Sequence, residues 1–171
     1  MNRPFSLRFL LTAGLLAVLT MGVLAGCSGQ NVRHLAHETW GRSGDNHIGM
    51  QFWRFGFTTV DMGDSVGVIG TALPNSELYP QWAAWYGQLT ITAYLSDHTG
   101  QVIARDTHTY VPRPIGKERG IPLEFTFDAG TVDAQYISFG YRMLLTEQPP
   151  DAVSGGQQGR MQLVQEDALR Q

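Results

Sequence analysis

The chain is poor in cysteine and in charge. Of its 171 residues one is cysteine, and 12 basic residues stand against 15 acidic ones. A single cysteine excludes an internal disulfide and any zinc site built from several cysteines. The net charge of -3 argues against a nucleic-acid-binding protein, because such proteins usually carry a basic surface. With 43% hydrophobic residues, the chain is nevertheless too apolar to be wholly disordered.

A long hydrophobic run occurs only at the N-terminus. Arg3 and Arg8 precede an uncharged, mostly apolar run over residues 9–23, which continues into Leu24-Ala25-Gly26-Cys27. A run of about 15 residues fits the hydrophobic part of a signal peptide, since a membrane-spanning helix needs roughly 20. The sequence therefore predicts a cleaved leader over residues 1–26.

Residues 24–27 resemble the lipobox of bacterial lipoproteins, which reads Leu-Ala/Ser-Gly/Ala-Cys, and all four positions match. The resemblance covers residues 1–27 only. It implies that Cys27 becomes the mature N-terminus and carries a thioether-linked diacylglycerol, usually with a third, amide-linked chain. Ser28 stands where Asp retains enteric lipoproteins in the inner membrane, so the resemblance implies the outer membrane, facing the periplasm. The alternative is an ordinary secretory signal or a short membrane helix, with Cys27 incidental.

The segment after the leader is polar. Removal of residues 1–26 would leave 10 basic and 15 acidic side chains, a net charge of -5. An acidic domain is not attracted to anionic lipids, so the predicted membrane contact is the lipid on Cys27. Residues 27–49 contain four glycines and no sustained period, which predicts a flexible tether with a reach of about 25 Å. Alternatively, Val32, Leu35 and Trp40 form a helical turn or dock on the domain.

Residues 50–147 show the pattern of a β-domain. Six stretches rich in alternating apolar residues are separated by Gly, Pro or Asp breaks; they cover 51–60, 65–73, 88–96, 101–111, 121–127 and 135–146. Without a long amphipathic helix, this pattern predicts an all-β antiparallel sandwich of immunoglobulin-like or transthyretin-like topology. Leu89–Leu95 and Val102–Tyr110 form the clearest hairpin, joined by a turn at 97–100. Leu89 and its alternate neighbours should face the core, with Thr92 and Tyr94 on the opposite face.

The last segment, residues 148–171, has a different composition. Pro149-Pro150 ends the sixth strand, and residues 155–159 are rich in glycine. Met161, Val164 and Ala168 have the spacing of one helical face, but an isolated helix of about ten residues is marginal in water. The sequence therefore predicts a mostly disordered tail, which could fold on a partner.

Motifs for metal or phosphate binding are absent from the sequence, which has no HExxH, no EF-hand loop and no phosphate-binding glycine loop. Residues 63–67 match G-x-S-x-G in letters, but they join two predicted strands, whereas the nucleophile elbow of a serine hydrolase joins a strand to a helix. Three small polar groups remain, namely His34 with His37, Asp61 with Asp64, and Asp106 with His108. A zinc or copper site, a calcium turn and part of a triad are the functional interpretations, and solvated side chains or turn chemistry are the simpler ones. We expect no enzyme activity, no metal and no cofactor.

One aromatic segment does not show the alternating pattern of the predicted strands. Residues 72–87 connect two predicted strands and contain Tyr79, Trp82, Trp85 and Tyr86. Such side chains either close an open end of the core or present a contact surface. The sequence thus predicts a lipid-anchored, non-enzymatic envelope protein whose sandwich binds or scaffolds another envelope component. The alternative is a ligand-binding module for a glycan or small molecule, which would use Trp82, Trp85 and Tyr86.

Overall fold

The computed structural model describes residues 29–41, 44–116, 120–130, 134–150 and 159–170. The predicted leader and Cys27 lie outside these ranges. The described strands, in chain order, are β1 (Gln30–Asn31), β2 (His37–Thr39), β3 (Asn46–Gly49), β4 (Trp53–Asp61), β5 (Ser65–Pro74), β6 (Trp85–Ser96), β7 (Val102–Tyr110), β8 (Arg113–Pro114), β9 (Ile121–Asp128), β10 (Tyr136–Thr146), β11 (Met161–Glu166) and β12 (Leu169–Arg170). A 3-10 turn, Ser76–Leu78, lies between β5 and β6. None of the described helical residues forms a helix long and apolar enough to span a membrane.

The strands form two main sheets with antiparallel pairing throughout. The large sheet has the order β11-β10-β6-β7, with β2 beside β10 and β8 beside β6. The small sheet has the order β3-β4-β5-β9. A separate two-stranded ribbon joins β1 to β12; we call it the terminal ribbon. The predicted all-β antiparallel sandwich is confirmed.

The core between the sheets is built from the alternate, inward side chains of both. Phe55 of the small sheet stacks on Phe139 of the large sheet, with ring centroids 4.5 Å apart. Trp53, Phe125 and Phe139 have no solvent exposure. Aromatic pairs of this kind contribute about 0.5–1.5 kcal/mol beyond the burial of their area. All six strands predicted from alternation are therefore present, because their apolar face has a second sheet to pack on.

The β6–β7 hairpin is also confirmed. Its turn uses Gly100 at a φ of 82°, a left-handed conformation that costs glycine little. The Oδ1 atom of Asp97 accepts hydrogen bonds from the backbone N–H and hydroxyl of Thr99 and from the N–H of Gln101. A short side chain that caps its own turn in this way fixes the hairpin register.

The predicted flexible tether over residues 27–49 is corrected for its described residues. Gln30 pairs with Arg170 in the terminal ribbon, and β2 pairs with the first residues of β10. Val32 is 1% exposed and Leu35 2% exposed. The open edge of β10 offers unpaired backbone groups, and the segment satisfies them while it buries its apolar side chains. The structure agrees with the alternative prediction, in which Val32, Leu35 and Trp40 dock on the domain.

The predicted tail over residues 148–171 is corrected in the same way for residues 159–170. Met161–Glu166 forms β11, which pairs with the second half of β10 from Tyr141 to Thr146. Met161, Val164 and Ala168 therefore do not share a helical face. A short helix has only its own hydrogen bonds, whereas a strand on β10 gains a full ladder. Residues 151–158 lie outside the described residues.

The structure also corrects the prediction for the outer face of β6. Thr92 and Tyr94, which alternation placed opposite the core, are 6% and 2% exposed. The chain termini cover them: the hydroxyl of Tyr94 donates to Oδ1 of Asp167, and Asn31 bridges to Gln101. The middle of the large sheet is thus buried on both faces.

Candidate functional site

The tyrosines of the aromatic segment are part of the core. Tyr79 is 8% exposed and Tyr86 2%, and their hydroxyl oxygens lie 3.1 Å apart. The ring of Tyr86 also packs 5.8 Å from that of Trp53. Burial raises the pKa of Tyr86 to about 12 and raises the pKa of Tyr79 further. Both phenols stay neutral at physiological pH and close one end of the sandwich.

The tryptophans of the same segment lie at the surface and are only partly buried. The guanidinium carbon of Arg160 lies 5.6 Å from the centre of the Trp82 ring, and Arg160 pairs with both carboxylate oxygens of Glu147. Trp85 is opposite Thr146 in the ladder, which places it on the outer face of the large sheet. The segment therefore divides, with the tyrosines as a plug and the tryptophans on the surface.

A β-bulge decides which of Trp85 and Tyr86 faces the core. The ladder between β6 and β10 pairs Leu145 with Tyr86 but Leu144 with Gln88, so Gly87 is the extra residue. Without the bulge, strict alternation would place Trp85 on the core side with Leu89. A Cβ at Gly87 would lie 2.8 Å from Cγ2 of Thr146, so glycine is required at this close approach.

Beside the aromatic plug lies a cleft of about 560 Å³. Its walls are Tyr86, Val111, Arg113, Pro114, Ile115, Gly116, Gly120 and Ile121. The Nε atom of Arg113 is shielded from solvent and has no hydrogen-bond partner among the described residues. Its guanidinium carbon lies 5.7 Å from the centre of the Tyr110 ring. A shielded, unpaired guanidinium N–H suits a carboxylate or another anion.

A second depression, of about 410 Å³, crosses the outer face of the small sheet; we call it the small-sheet groove. It is lined by His47, Ile48, Gly49, Arg54, Phe55, Gly56, Thr71 and Leu73. Gly56 leaves its centre open, since a Cβ there would lie 3.3 Å from Nδ1 of His47. Leu73 and the neighbouring Ile69 are 40% and 48% exposed. The result is an apolar groove with Arg54 and His47 at its rim.

The outer face of the large sheet carries an apolar strip, which sequence reasoning missed. Ladder pairing aligns Trp85, Thr146 and Met161 in one row, and Gln88, Leu144 and Leu163 in the next. Paired residues on neighbouring strands present their side chains on one face. Met161 and Leu163 are each 52% exposed. The strip depends on β11, whose residues had been expected in a disordered tail.

The histidines predicted as metal candidates have separate structural roles. Nε2 of His34 lies 3.0 Å from the carbonyl oxygen of Asp167, whereas His37 packs against the ring of Tyr136 at 4.7 Å. Within the described ranges, no group of three His, Cys, Asp or Glu side chains could share a metal ion.

The two carboxylate candidates also serve local structure. Oδ1 of Asp61 accepts from the N–H of Gly63, as in a simple turn. Asp106 lies 3.8 Å from His108, but its Oδ2 atom accepts from the backbone N–H of Thr126 and so joins β7 to β9. The ring of His108 packs 5.1 Å from Phe125. The pair therefore lies at the sandwich edge rather than on the solvated sheet face that was expected.

Cys27, the predicted lipidation site, lies outside the described residues. The first described residue is Gly29, and Gln30 already belongs to the terminal ribbon. No protein-family model, no curated protein and no solved structure matches the chain.

Proposed function

We propose that the chain is a lipid-anchored, non-enzymatic protein of the bacterial cell envelope whose sandwich binds another envelope component. The match of residues 24–27 to the lipobox and the position of Cys27 as the only cysteine support the anchor. Ser28 supports the outer membrane, facing the periplasm. In the described part of the chain, the polar groups that sequence reasoning considered for chemistry are used in turns, ladders and packing.

The observation that carries the binding role is the small-sheet groove. Ile69 and Leu73 remain 48% and 40% exposed on a sheet whose other face is a dense core. Exposed apolar surface next to polar rim groups is typical of interaction sites. The part of the N-terminal segment that follows the anchor packs on the large sheet through β2, and the chain reaches the small sheet only at β3. The groove would thus face away from the anchor and stay open to a periplasmic partner.

Site-specific photo-crosslinking in cells tests this role. A crosslinking residue at Ile69 should give one adduct of defined mass, while the same residue at Thr107, on the outer face of the large sheet, should not. Leu73→Glu in the Ile69 probe should abolish the adduct, because a carboxylate in the groove opposes an apolar contact. Equal background from both positions would contradict the proposed contact. Mass spectrometry of the Cys27 peptide tests the anchor independently.

A second candidate is a ligand-binding module for a glycan or small molecule at the aromatic end. The shielded, unpaired Nε of Arg113 in the cleft beside Tyr86 favours it. Trp85 lies opposite Pro114 in the ladder, so its fluorescence should report on the cleft. Titration with uronic-acid glycans should change that fluorescence, and Arg113→Gln should weaken the response. An unchanged signal with acidic and neutral glycans alike would remove this candidate.

A further inference from the structure

We propose that the outer face of the large sheet is a membrane-docking surface, which lies on the anionic headgroups of the bilayer that holds the N-terminus. This inference rests on the proposed lipid anchor at Cys27. It adds an orientation, since one face of the domain contacts lipid and the opposite face is left for partners. It also assigns a role to exposed arginines in a chain whose overall charge is negative.

The first argument is the length of chain between the anchor and the domain. Gln30 and Asn31 are held by ladder pairing with Arg170 and Leu169. The side chain of Asn31 also donates to the carbonyl oxygen of Thr99. Two peptide units join Cys27 to Gly29, so their Cα atoms lie within about 8 Å of each other. A lipid on Cys27 therefore brings the domain into contact with the bilayer, in place of the predicted reach of about 25 Å.

The second argument is the face on which this segment lies. Nη1 of Arg105 donates to Oε1 of Gln30 at 2.9 Å. Arg105 is opposite Tyr94 in the ladder, and the Tyr94 hydroxyl donates to Asp167, which lies between β11 and β12. Both side chains are on the outer face of the large sheet, opposite the inward Ala104 and Leu95. The anchored segment thus enters on this face, and the small-sheet groove lies on the other side of the sandwich.

The third argument is the charge on this face. Four exposed arginines lie on it or beside the terminal ribbon, namely Arg33, Arg105, Arg142 and Arg170. Within the described ranges none of them forms a salt bridge. Asp97 and Asp167 at this side of the domain accept hydrogen bonds from the domain itself. The small sheet instead carries Arg54 with Glu124, and ends at Asp61, Asp64 and Asp128.

Arginine is suited to this contact. The chain has eleven arginines and one lysine, and a guanidinium group binds a phosphate through two parallel hydrogen bonds. The anionic surface of a bilayer attracts cations over a short range, with an effect of about fivefold in binding for each arginine. A domain held at the surface by its lipid is within that range.

The fourth argument is the apolar strip at the far end of the same face. Met161 and Leu163 are 52% exposed, and Leu169 and Ile103 near the ribbon are 59% and 41% exposed. Trp85 completes the row with Met161. Tryptophan, leucine and arginine together are typical of surfaces that rest at the headgroup level of a membrane. The face thus combines cations for phosphates with apolar side chains for the acyl boundary.

A reporter cysteine in the full-length, acylated protein tests the orientation. Because the thioether blocks Cys27, an added cysteine is the only free thiol. Ile103→Cys on the large sheet and Ile69→Cys on the small sheet form a matched pair, at 41% and 48% exposure. Each variant is labelled with a polarity-sensitive fluorophore. It is then reconstituted in vesicles of phosphatidylcholine, either alone or with phosphatidylglycerol.

The label at position 103 should shift to the blue in vesicles with phosphatidylglycerol, and the label at 69 should not. The triple variant Arg33→Gln, Arg105→Gln, Arg170→Gln should lower the ratio of docked to undocked protein by about 100-fold. Arg54→Gln is the control and should leave this ratio unchanged. Thermal melting of the variants establishes that each is folded.

The outcomes separate the orientation from the anchor. Unmodified Cys27 in the mass spectrum would overturn the proposed anchor and the docking surface together. Two results with acylated Cys27 would overturn the docking surface alone. One is an equal shift of the labels at 103 and 69. The other is a shift at 103 that changes neither with phosphatidylglycerol nor in the triple variant. A shift at 103 that requires an added envelope protein would show a protein occupant, and would also overturn it.

Discussion

The two outer faces of the sandwich differ although their strands share one alternating pattern. The small sheet presents an open groove with Ile69 and Leu73 at its side, and little covers it. The large sheet is covered at its centre, where Tyr94 and Thr92 are almost fully buried, and most of the exposed arginines among the described residues lie on it or beside the terminal ribbon. The difference arises because β2, β11 and the terminal ribbon pack on the large sheet, whereas the small sheet gains only the edge strand β3 from the terminal segments. Alternation therefore identifies an outer face but does not tell whether solvent reaches it.

The largest expected effect is a loss of stability that involves both sheets. Phe139→Ala removes a side chain with no solvent exposure that stacks on Phe55 across the two sheets. We expect the free energy of unfolding to fall by about 3–5 kcal/mol, because the cavity adds to the lost burial. Urea unfolding measures this loss. Phe139→Leu is the control and should lose clearly less, because leucine fills most of the cavity; an equal loss would contradict the cavity explanation.

The next effect is a loss of stability that should affect the segment covering the large sheet and leave the small sheet unchanged. Leu35→Ala should lower the free energy of unfolding by about 2–4 kcal/mol, because Leu35 is 2% exposed in the segment that covers the large sheet. Hydrogen exchange should accelerate at residues 30–39 and not at 53–61. Ala36→Gly in the same segment is the control, because Ala36 is exposed. Uniform acceleration in both sheets would show that the covering segment is not a separate unit.

Alkaline pH should destabilise the end of the sandwich that Tyr79 and Tyr86 close. Burial raises the pKa of Tyr86 from 10.0 to about 12, so this tyrosine stabilises the fold fully below pH 10. Above that pH the unfolded state loses the phenolic proton first, and the contribution of Tyr86 to stability falls by about 1.4 kcal/mol per pH unit until ionisation in the folded state near pH 12.

Tyrosinate absorbance and the unfolding midpoint measure this loss together. Tyr86→Phe should make the decline between pH 10 and 12 shallower. A decline of the same steepness in the variant would place the titrating group elsewhere.

The smallest expected effect on stability concerns a matched surface pair. Leu163→Gln on the large sheet and Ile69→Gln on the small sheet should each change the free energy of unfolding by less than about 0.5 kcal/mol, since both side chains are exposed. Their functional effects should differ. The first should weaken lipid docking and the second should weaken crosslinking to a partner, as flotation with vesicles and the photo-crosslinking assay would show. If the two variants had identical effects in both assays, the proposed division of roles between the two sheets would be contradicted.

Much of the fold follows from the sequence, because six strands have their own signal. Phe52 to Phe57 and Ile121 to Phe127 alternate, and Gly or Asp breaks bound them. The terminal strands have no such local signal. Gln30 pairs with Arg170, and no pattern in either segment predicts a partner so far along the chain. The strands β2 and β11 form because β10 offers an open edge to both, while β1 and β12 pair with each other.

The candidate site was only partly predictable for a related reason. Tyr79, Trp82, Trp85 and Tyr86 stand out by composition, but a one-residue bulge at Gly87 decides which of Trp85 and Tyr86 faces the core. A bulge changes the face of each side chain that precedes it. The small-sheet groove and the arginines of the large sheet depend on pairings between strands that are distant in sequence.

Two native methionines test the central claim most directly. Met161 on the large sheet is 52% exposed and Met62, in the turn that ends the small-sheet strand β4, is 50% exposed. They should be oxidised by peroxide at similar rates in detergent. On vesicles with phosphatidylglycerol, mass spectrometry of the acylated protein should show that Met161 is protected severalfold while Met62 is not. Equal oxidation of the two methionines on vesicles would contradict a membrane-facing large sheet.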